Sequence, residues 1–335
     1  MGRVVAAIVA LLVVFAPSTA FADPAGPTDY LSEIRDIDPP TPSIEVAVLG
    51  GDSFVELTVE PGTEVTVAGY RSGDQYLWFR ADGAVLENQN SPSTYLNDDR
   101  FASVDPPPNA DADAAPDWQE VASDGRYSWH DHRAHWMQPI RPAGKQVGDQ
   151  IVEGVIPLVV DGAEVDVTVI STWQAEPSRV AAIAGALISI GLAGFATWRW
   201  RSRTTWMVSV VPIAAVALVA GVAQFTSLPS ETGPRLAWIA LPVIALVAAV
   251  AGAVGEQRSA LFLARGAVLV AAAQLLVWGL VKRDGLTAAI VPTGAPGWFD
   301  RFATAGALFG GLMFGAFALW TLFAPPPRIE PSTRS

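Results

Sequence analysis

Between Arg179 and Ala324 the chain carries five apolar runs, at 180–198, 207–224, 236–254, 261–281 and 302–323. Each is about long enough to cross ~30 Å of hydrocarbon. Inside lipid a backbone must satisfy its own hydrogen bonds, so runs of this length are read as helices. No other feature limits the fold as strongly: residues 179–324 are expected to form an all-α transmembrane bundle of about five helices. Tryptophans stand at the ends of the runs (Trp198, Trp200, Trp206, Trp238, Trp278, Trp298, Trp320), where an interfacial aromatic belt is expected.

Charge divides the chain the same way. From Asp23 to Ser178 there are 28 acidic and 8 basic residues, a net of −20, whereas the remainder carries 5 acidic and 13 basic residues, a net of +8. An acidic polar domain repels nucleic acid, which is excluded as a partner. The chain has no cysteine, so thiolate metal sites, cysteine nucleophiles and disulfides are excluded as well.

The N-terminus reads as a signal peptide over residues 1–22. Arg3 precedes the apolar run Val4–Phe15, Pro17 ends it, and Ala20-Phe21-Ala22 supplies small residues for cleavage before Asp23. Residues 23–43, rich in Pro and Asp, are expected to be an extended lead-in. Residues 44–176 carry strand signals. Val55, Leu57 and Val59 alternate with Glu56, Thr58 and Glu60, and after Pro61-Gly62 the alternation resumes, so a β-hairpin is expected there. Tyr76–Arg80, Asp82-Gly83 and Val85-Leu86 suggest a second strand pair. Ile151–Val160, Asp161-Gly162 and Ala163–Trp173 suggest another, with Val165, Val167 and Val169 facing inward. The loop Asp105–Pro116 interrupts the series. The fold class expected is thus α+β by segregation: an extracytoplasmic β-sandwich followed by the helical bundle, with 325–335 as a cytoplasmic tail.

Placing the β-domain outside the cytoplasmic membrane leaves Arg199, Arg201, Arg203, Arg258, Arg265, Arg328 and Arg334 inside, against Arg179, Arg235, Lys282, Arg283 and Arg301 outside. This is a modest positive-inside bias that agrees with export. The spans carry almost no ionisable residue away from their ends, which argues against a pump or coupled transporter. Gly306-x-x-x-Gly310 and Gly311-x-x-x-Gly315 permit close packing, within the chain or with a partner.

All three histidines fall within one stretch, Trp129-His130-Asp131-His132-Arg133-Ala134-His135-Trp136-Met137. On a strand His130 and His132 share a face, and His135 joins them only through a turn. Imidazole is the commonest ligand for zinc and copper. His130, His132 and His135, with Asp131 or Met137, are therefore the candidate metal ligands, and Cu or Zn the candidate cofactor. The bland alternative is that the histidines pack and hydrogen-bond within the fold while Trp129, Arg133 and Trp136 form a binding surface. The stretch departs from the hydrolase pattern H-x-H-x-D-H at Ala134, and no G-x-S-x-G, phosphate loop or paired-carboxylate signature appears, so no enzyme is expected. In Asn88–Arg100 the density of Asn, Ser and Pro predicts a loop, with Tyr95 and Arg100 docking it; Asn97, Asp98 and Asp99 are alternative oxygen ligands for a hard cation.

The signal peptide, the Glu60–Val65 and Asn90–Asn97 segments, Trp129-His130-Asp131-His132-Arg133 and the trailing helices together resemble a group of uncharacterised actinobacterial envelope proteins, a likeness that implies no activity. A weaker resemblance is to CopC-type copper-handling β-sandwiches, carried by architecture and histidine richness alone. Two functional readings follow. One is a membrane-anchored extracytoplasmic binding protein of the cell envelope that captures copper or zinc. The other is a structural or interaction subunit of an envelope complex without metal, with membrane lipid and an envelope protein as its partners.

Overall fold

The computed structural model describes residues 25–198, 209–229, 232–233 and 235–323. The expected signal peptide (1–22) and tail (325–335), together with Arg199, Arg201, Arg203, Trp200 and Trp206, lie outside the described residues.

The N-terminal part is built from two antiparallel sheets. The larger has seven strands in the order β1 (Tyr30–Asp38), β10 (Ala163–Trp173), β9 (Gln150–Val160), β4 (Val65–Ala68), β5 (Gln75–Phe79), β6 (Val85–Asn88) and β7 (Trp118–Ala122). The smaller has β3 (Phe54–Val59) between β2 (Ile44–Leu49) and β8 (Arg126–Trp129). Their facing sides enclose one core of Val55, Leu57, Val65, Val67, Leu77, Ile156, Val167 and their neighbours. Period-2 alternation produces this arrangement, since every second side chain of a strand points to the same side. The expected inward set Val165, Val167 and Val169 is buried. The β9–β10 hairpin closes through Asp161 and Gly162, both at positive φ (48° and 83°), as a two-residue turn with right-handed strand twist requires.

Two strand expectations change. The Pro61-Gly62 turn does not close a hairpin: β3 pairs with β2 and β8, while β4 pairs with β5 and β9 in the other sheet. The turn carries the chain across the sandwich. The lead-in is not featureless either. Residues 30–38 are the edge strand β1, paired with β10, and a bulge at Arg35 breaks the alternation that would have marked it. Within 88–100 a short helix, α1 (Pro92–Leu96), begins at Ser91, whose hydroxyl accepts from Ser93 N at 3.1 Å.

Among the described residues four C-terminal helices are long and apolar enough to cross a membrane: α2 (Val180–Trp198), α4 (Leu236–Gln257), α5 (Leu261–Val281) and α6 (Gly297–Phe323). The fifth, α3 (Val211–Thr226), has 16 residues. Helices α3, α4, α5 and α6 pack in a ring, and α2 lies against α6. Small residues set the spacing. A Cβ on Gly185 would meet Phe302 O at 2.1 Å, and one on Gly311 would meet Leu276 N at 2.6 Å. Gly310 faces Ile213 and Gly306 faces Ser189, so the glycine motifs of α6 serve packing within the chain.

The tryptophan belt is only partly a belt. Trp198, Trp298 and Trp320 are exposed, whereas Trp238 and Trp278 are buried, with Trp278 Nε1 donating to Trp238 O at 3.0 Å. The bundle is also less quiet than its spans suggest. Lys282, just past α5, is buried with Asp300 of α6 as an ion pair, and its ammonium donates to Gln224 Oε1 at 2.6 Å. Arg301 donates to Gly285, Ala288 and Ala289 carbonyls. Lys282 and Arg301 are therefore internal ties and not loop charges.

The β-domain rests on one end of the bundle. Thr28 and Ile290 exchange both backbone hydrogen bonds, at 3.1 and 2.8 Å, and Ala289 N donates to Asp29 Oδ1 at 3.0 Å. Beside this bridge Ala25, Leu49 and Phe54 pack with Leu228 and Trp238 of the bundle.

Candidate functional site

The histidine stretch begins where β8 ends and folds into a tight turn between the sheets. Ala134 N donates to Asp131 O at 2.9 Å, and Asp131 Oδ1 accepts from Arg133 N at 3.0 Å, the local bonding for which Asp is favoured in turns. The buried Asp131 carboxylate also accepts from Arg133 Nε at 2.8 Å, Arg133 Nη2 at 2.7 Å and Trp129 Nε1 at 3.0 Å. Burial alone would push its pKa up. The Arg133 charge and the hydrogen bonds from Arg133 and Trp129 outweigh that and hold it below the usual carboxylate range.

Arg133 reaches further, donating to Ala68 O at 3.2 Å and lying over the Tyr70 ring at 5.0 Å. On the other side its own carbonyl lies where a Cβ on Gly154 would sit 2.0 Å away, so β9 needs glycine there. Ser32 Oγ donates to Ala134 O at 2.6 Å and ties in β1.

The three imidazoles are neighbours but each has its own task. His130 stacks on Phe54, with ring centroids 4.3 Å apart. His132 lies parallel to Tyr70 at 5.3 Å, its backbone N donating to Tyr70 Oη at 2.9 Å and its Nε2 bonded to Asp99 O at 2.9 Å. His135 Nδ1 contacts Trp136 O at 3.2 Å. The His135 ring stands edge-on to the other two, 6.3 Å from His130 and 5.6 Å from His132. Burial, helped by the Arg100 charge, pushes the His135 pKa down to about 3, so the ring is neutral. Burial also lowers that of His132, against the pull of the Asp99 carbonyl.

Among the described residues no group of three or more His, Asp or Glu side chains is placed to hold a metal ion. The ligand set expected from sequence does not converge: Asp131 is enclosed by Arg133 and Trp129, and His132 Nε2 is occupied by a carbonyl. Met137 is half-buried. Among the described residues His135 Nε2 is buried without a hydrogen-bond partner. Comparison with protein-family models, curated proteins and solved structures finds no match.

The remaining expected residues fall into place around the turn. Trp129 is in the core, and Trp136 Nε1 donates to Ile140 O at 2.8 Å. Arg100 docks the 88–100 loop as expected, through a 2.5 Å ion pair with the buried Asp52, whose pKa burial raises against the Arg100 charge. Tyr95 instead bonds within its own loop, to Gln89 O at 3.0 Å. Asp99 accepts from Phe101 N, Ser103 N and Ser103 Oγ, and Asn97 Oδ1 accepts from Tyr70 Oη. These side chains close turns and are not grouped as cation ligands. Sequence reasoning missed Tyr70 and Phe54, the two rings that carry the imidazoles. Both are distant in sequence from the motif, and nothing local marks them.

Proposed function

We propose that the protein is a structural and interaction subunit of the cell envelope, an acidic β-domain held at a fixed pose on the outer end of a membrane bundle. The observation that carries this reading is the use of the histidine turn. His130 stacks on one side of Phe54, and Phe54 joins the apolar cluster that contains Leu228 and Trp238. His130 is thus committed to fixing the sandwich against the helices, while His132 and His135 hold the turn within the β-domain. Export of the β-domain is supported by the modest positive-inside bias of the short loops. The test is chemical crosslinking in native membranes followed by purification under native conditions. A stable heteromeric assembly is expected; a protein that runs as a solitary chain refutes the proposal.

A second reading, capture of copper or zinc by the histidines, is favoured by one observation, the buried and unpartnered Nε2 of His135. Titration of the full-length protein with Cu⁺ or Zn²⁺ decides it. Binding weaker than high micromolar, or binding unchanged in His130→Ala/His135→Ala, ends it.

A further inference from the structure

On the outward face of the seven-stranded sheet Val155, Pro157, Val159, Glu164 and Asp166 are exposed, and register places the side chains in rows. One row runs across six strands as Glu164, Val159, Thr66, Trp78, Leu86 and Glu120. Trp118, two residues before Glu120 and so on the same face, sets its ring 5.6 Å from that of Trp78. The next row reads Asp38, Asp166, Pro157, and the one after it Asp36, Thr168, Val155. Val155 and Val159 are 43% and 41% exposed. The face therefore has an apolar, aromatic spine with acids at both margins. Glu33 and Glu153 continue the acidic side through Ile170. The cations present are already engaged: Arg35 faces Glu153 at 4.0 Å, and Arg80 pairs with Asp82 at 2.9 Å while covering Trp78.

A solvated antiparallel sheet face usually alternates to polar side chains. Here valine, proline and tryptophan occupy those positions, the composition of an interface core ringed by a charged rim. The row of Trp78 and Val159 lies at the Asp161-Gly162 end of β9 and β10. That end is about nine residues of strand, or ~30 Å, from Trp173, where the chain turns toward the membrane. An anionic membrane surface is thus neither within reach nor electrostatically suited to it.

Resting on the reading of this protein as an interaction subunit, we propose that this sheet face docks a basic protein partner, a segment of net positive charge with apolar residues at its centre. Complementarity decides the sign: acids line both margins, and the domain as a whole carries a net −20. Oppositely charged surfaces steer encounter and reject wrong partners.

The test places the photo-crosslinking residue benzoylphenylalanine at Val155 or Val159 in the full-length protein in its native membrane, with Ile140, exposed elsewhere on the domain, as control. Expected are adducts from Val155 and Val159 but not from Ile140, with a cross-linked peptide of net positive charge. Adduct yield should fall about tenfold or more in Glu164→Lys/Asp166→Lys, since like charges then face each other. Raising salt to about 0.5 M should lower the yield for the unaltered protein too, because exposed charges are screened over a few Å there. Adducts to a polysaccharide, to lipid, to a second copy of this chain or to an acidic peptide overturn the proposal, as does a yield indifferent to both salt and charge reversal. If a partner copurifies but the face gives no adduct, this inference fails and the interaction reading stands. A solitary protein removes both.

Discussion

Replacing Asp131 with alanine tests whether the histidine turn is the keystone of the β-domain. The wild-type carboxylate is 1% exposed and accepts four hydrogen bonds, three from Arg133 and one from Trp129. Truncation leaves the Arg133 guanidinium, itself mostly buried, without its counter-ion, and breaking a buried pair on one side costs about 3–5 kcal/mol. A domain of this size loses about 2–4 °C of melting temperature per kcal/mol, so the expected drop is roughly 6–20 °C. The assay is thermal unfolding of the detergent-solubilised full-length protein, followed by tryptophan fluorescence. Arg133→Met in the same chain removes the orphaned charge and should recover part of the loss. The pH dependence has a defined sign. Because the folded pKa of Asp131 lies below the ordinary carboxylate value, its contribution is fully present above about pH 4 and is lost as pH falls through the lower folded value. A shift of less than about 2 °C, or no recovery on removing Arg133, would refute the reasoning, because the magnitude rests on an uncompensated buried charge.

Other perturbations read different parts of the molecule. Burial raises the pKa of Glu87 to about 7, so it favours the fold below about pH 4.5 and the contribution is lost as pH rises through 7. Glu87→Gln should therefore stabilise by about 1–3 kcal/mol at pH 8 and by much less at pH 5, measured by the same unfolding assay. In the bundle, Lys282→Met should destabilise by about 3–5 kcal/mol by isolating Asp300, whereas Lys282→Met/Asp300→Leu should cost less; equal losses in the two variants would contradict a paired charge. Gly311→Leu should prevent α5 and α6 from closing, since even a Cβ there meets the Leu276 backbone nitrogen at 2.6 Å, and is expected to lower the yield of folded, protease-resistant protein several-fold.

Much of the layout was legible in the sequence because the signals are local. Length and apolarity mark the helices. The Asp161-Gly162 turn between alternating strands marks β9 and β10, whose hairpin forms as read. The Pro61-Gly62 turn misled because a turn signal does not say whether the next strand joins the same sheet. Strand β1 was hidden by its bulge at Arg35, which destroys the period that would reveal it. The concentration of histidines was visible, but their orientation was not. It is set by Phe54, Tyr70 and Asp99, which lie 33 to 76 residues from their partners. The Lys282–Asp300 pair was unreadable for a related reason: both residues stand at helix ends that look like solvated loop positions, and only the packing of α3, α5 and α6 buries them.

The account depends on the β-domain and the helices being joined as one unit on the exported side, and the absence of cysteine makes this directly measurable. Thr28 and Ile290 form a hydrogen-bonded antiparallel pair, a spacing of about 5.5 Å between Cα atoms that a disulfide spans. Thr28→Cys/Ile290→Cys expressed in the native host is expected to form an intramolecular disulfide without added oxidant, seen as a mobility shift that reductant reverses. A pair that stays reduced in intact cells, or that yields only intermolecular products, would contradict the account.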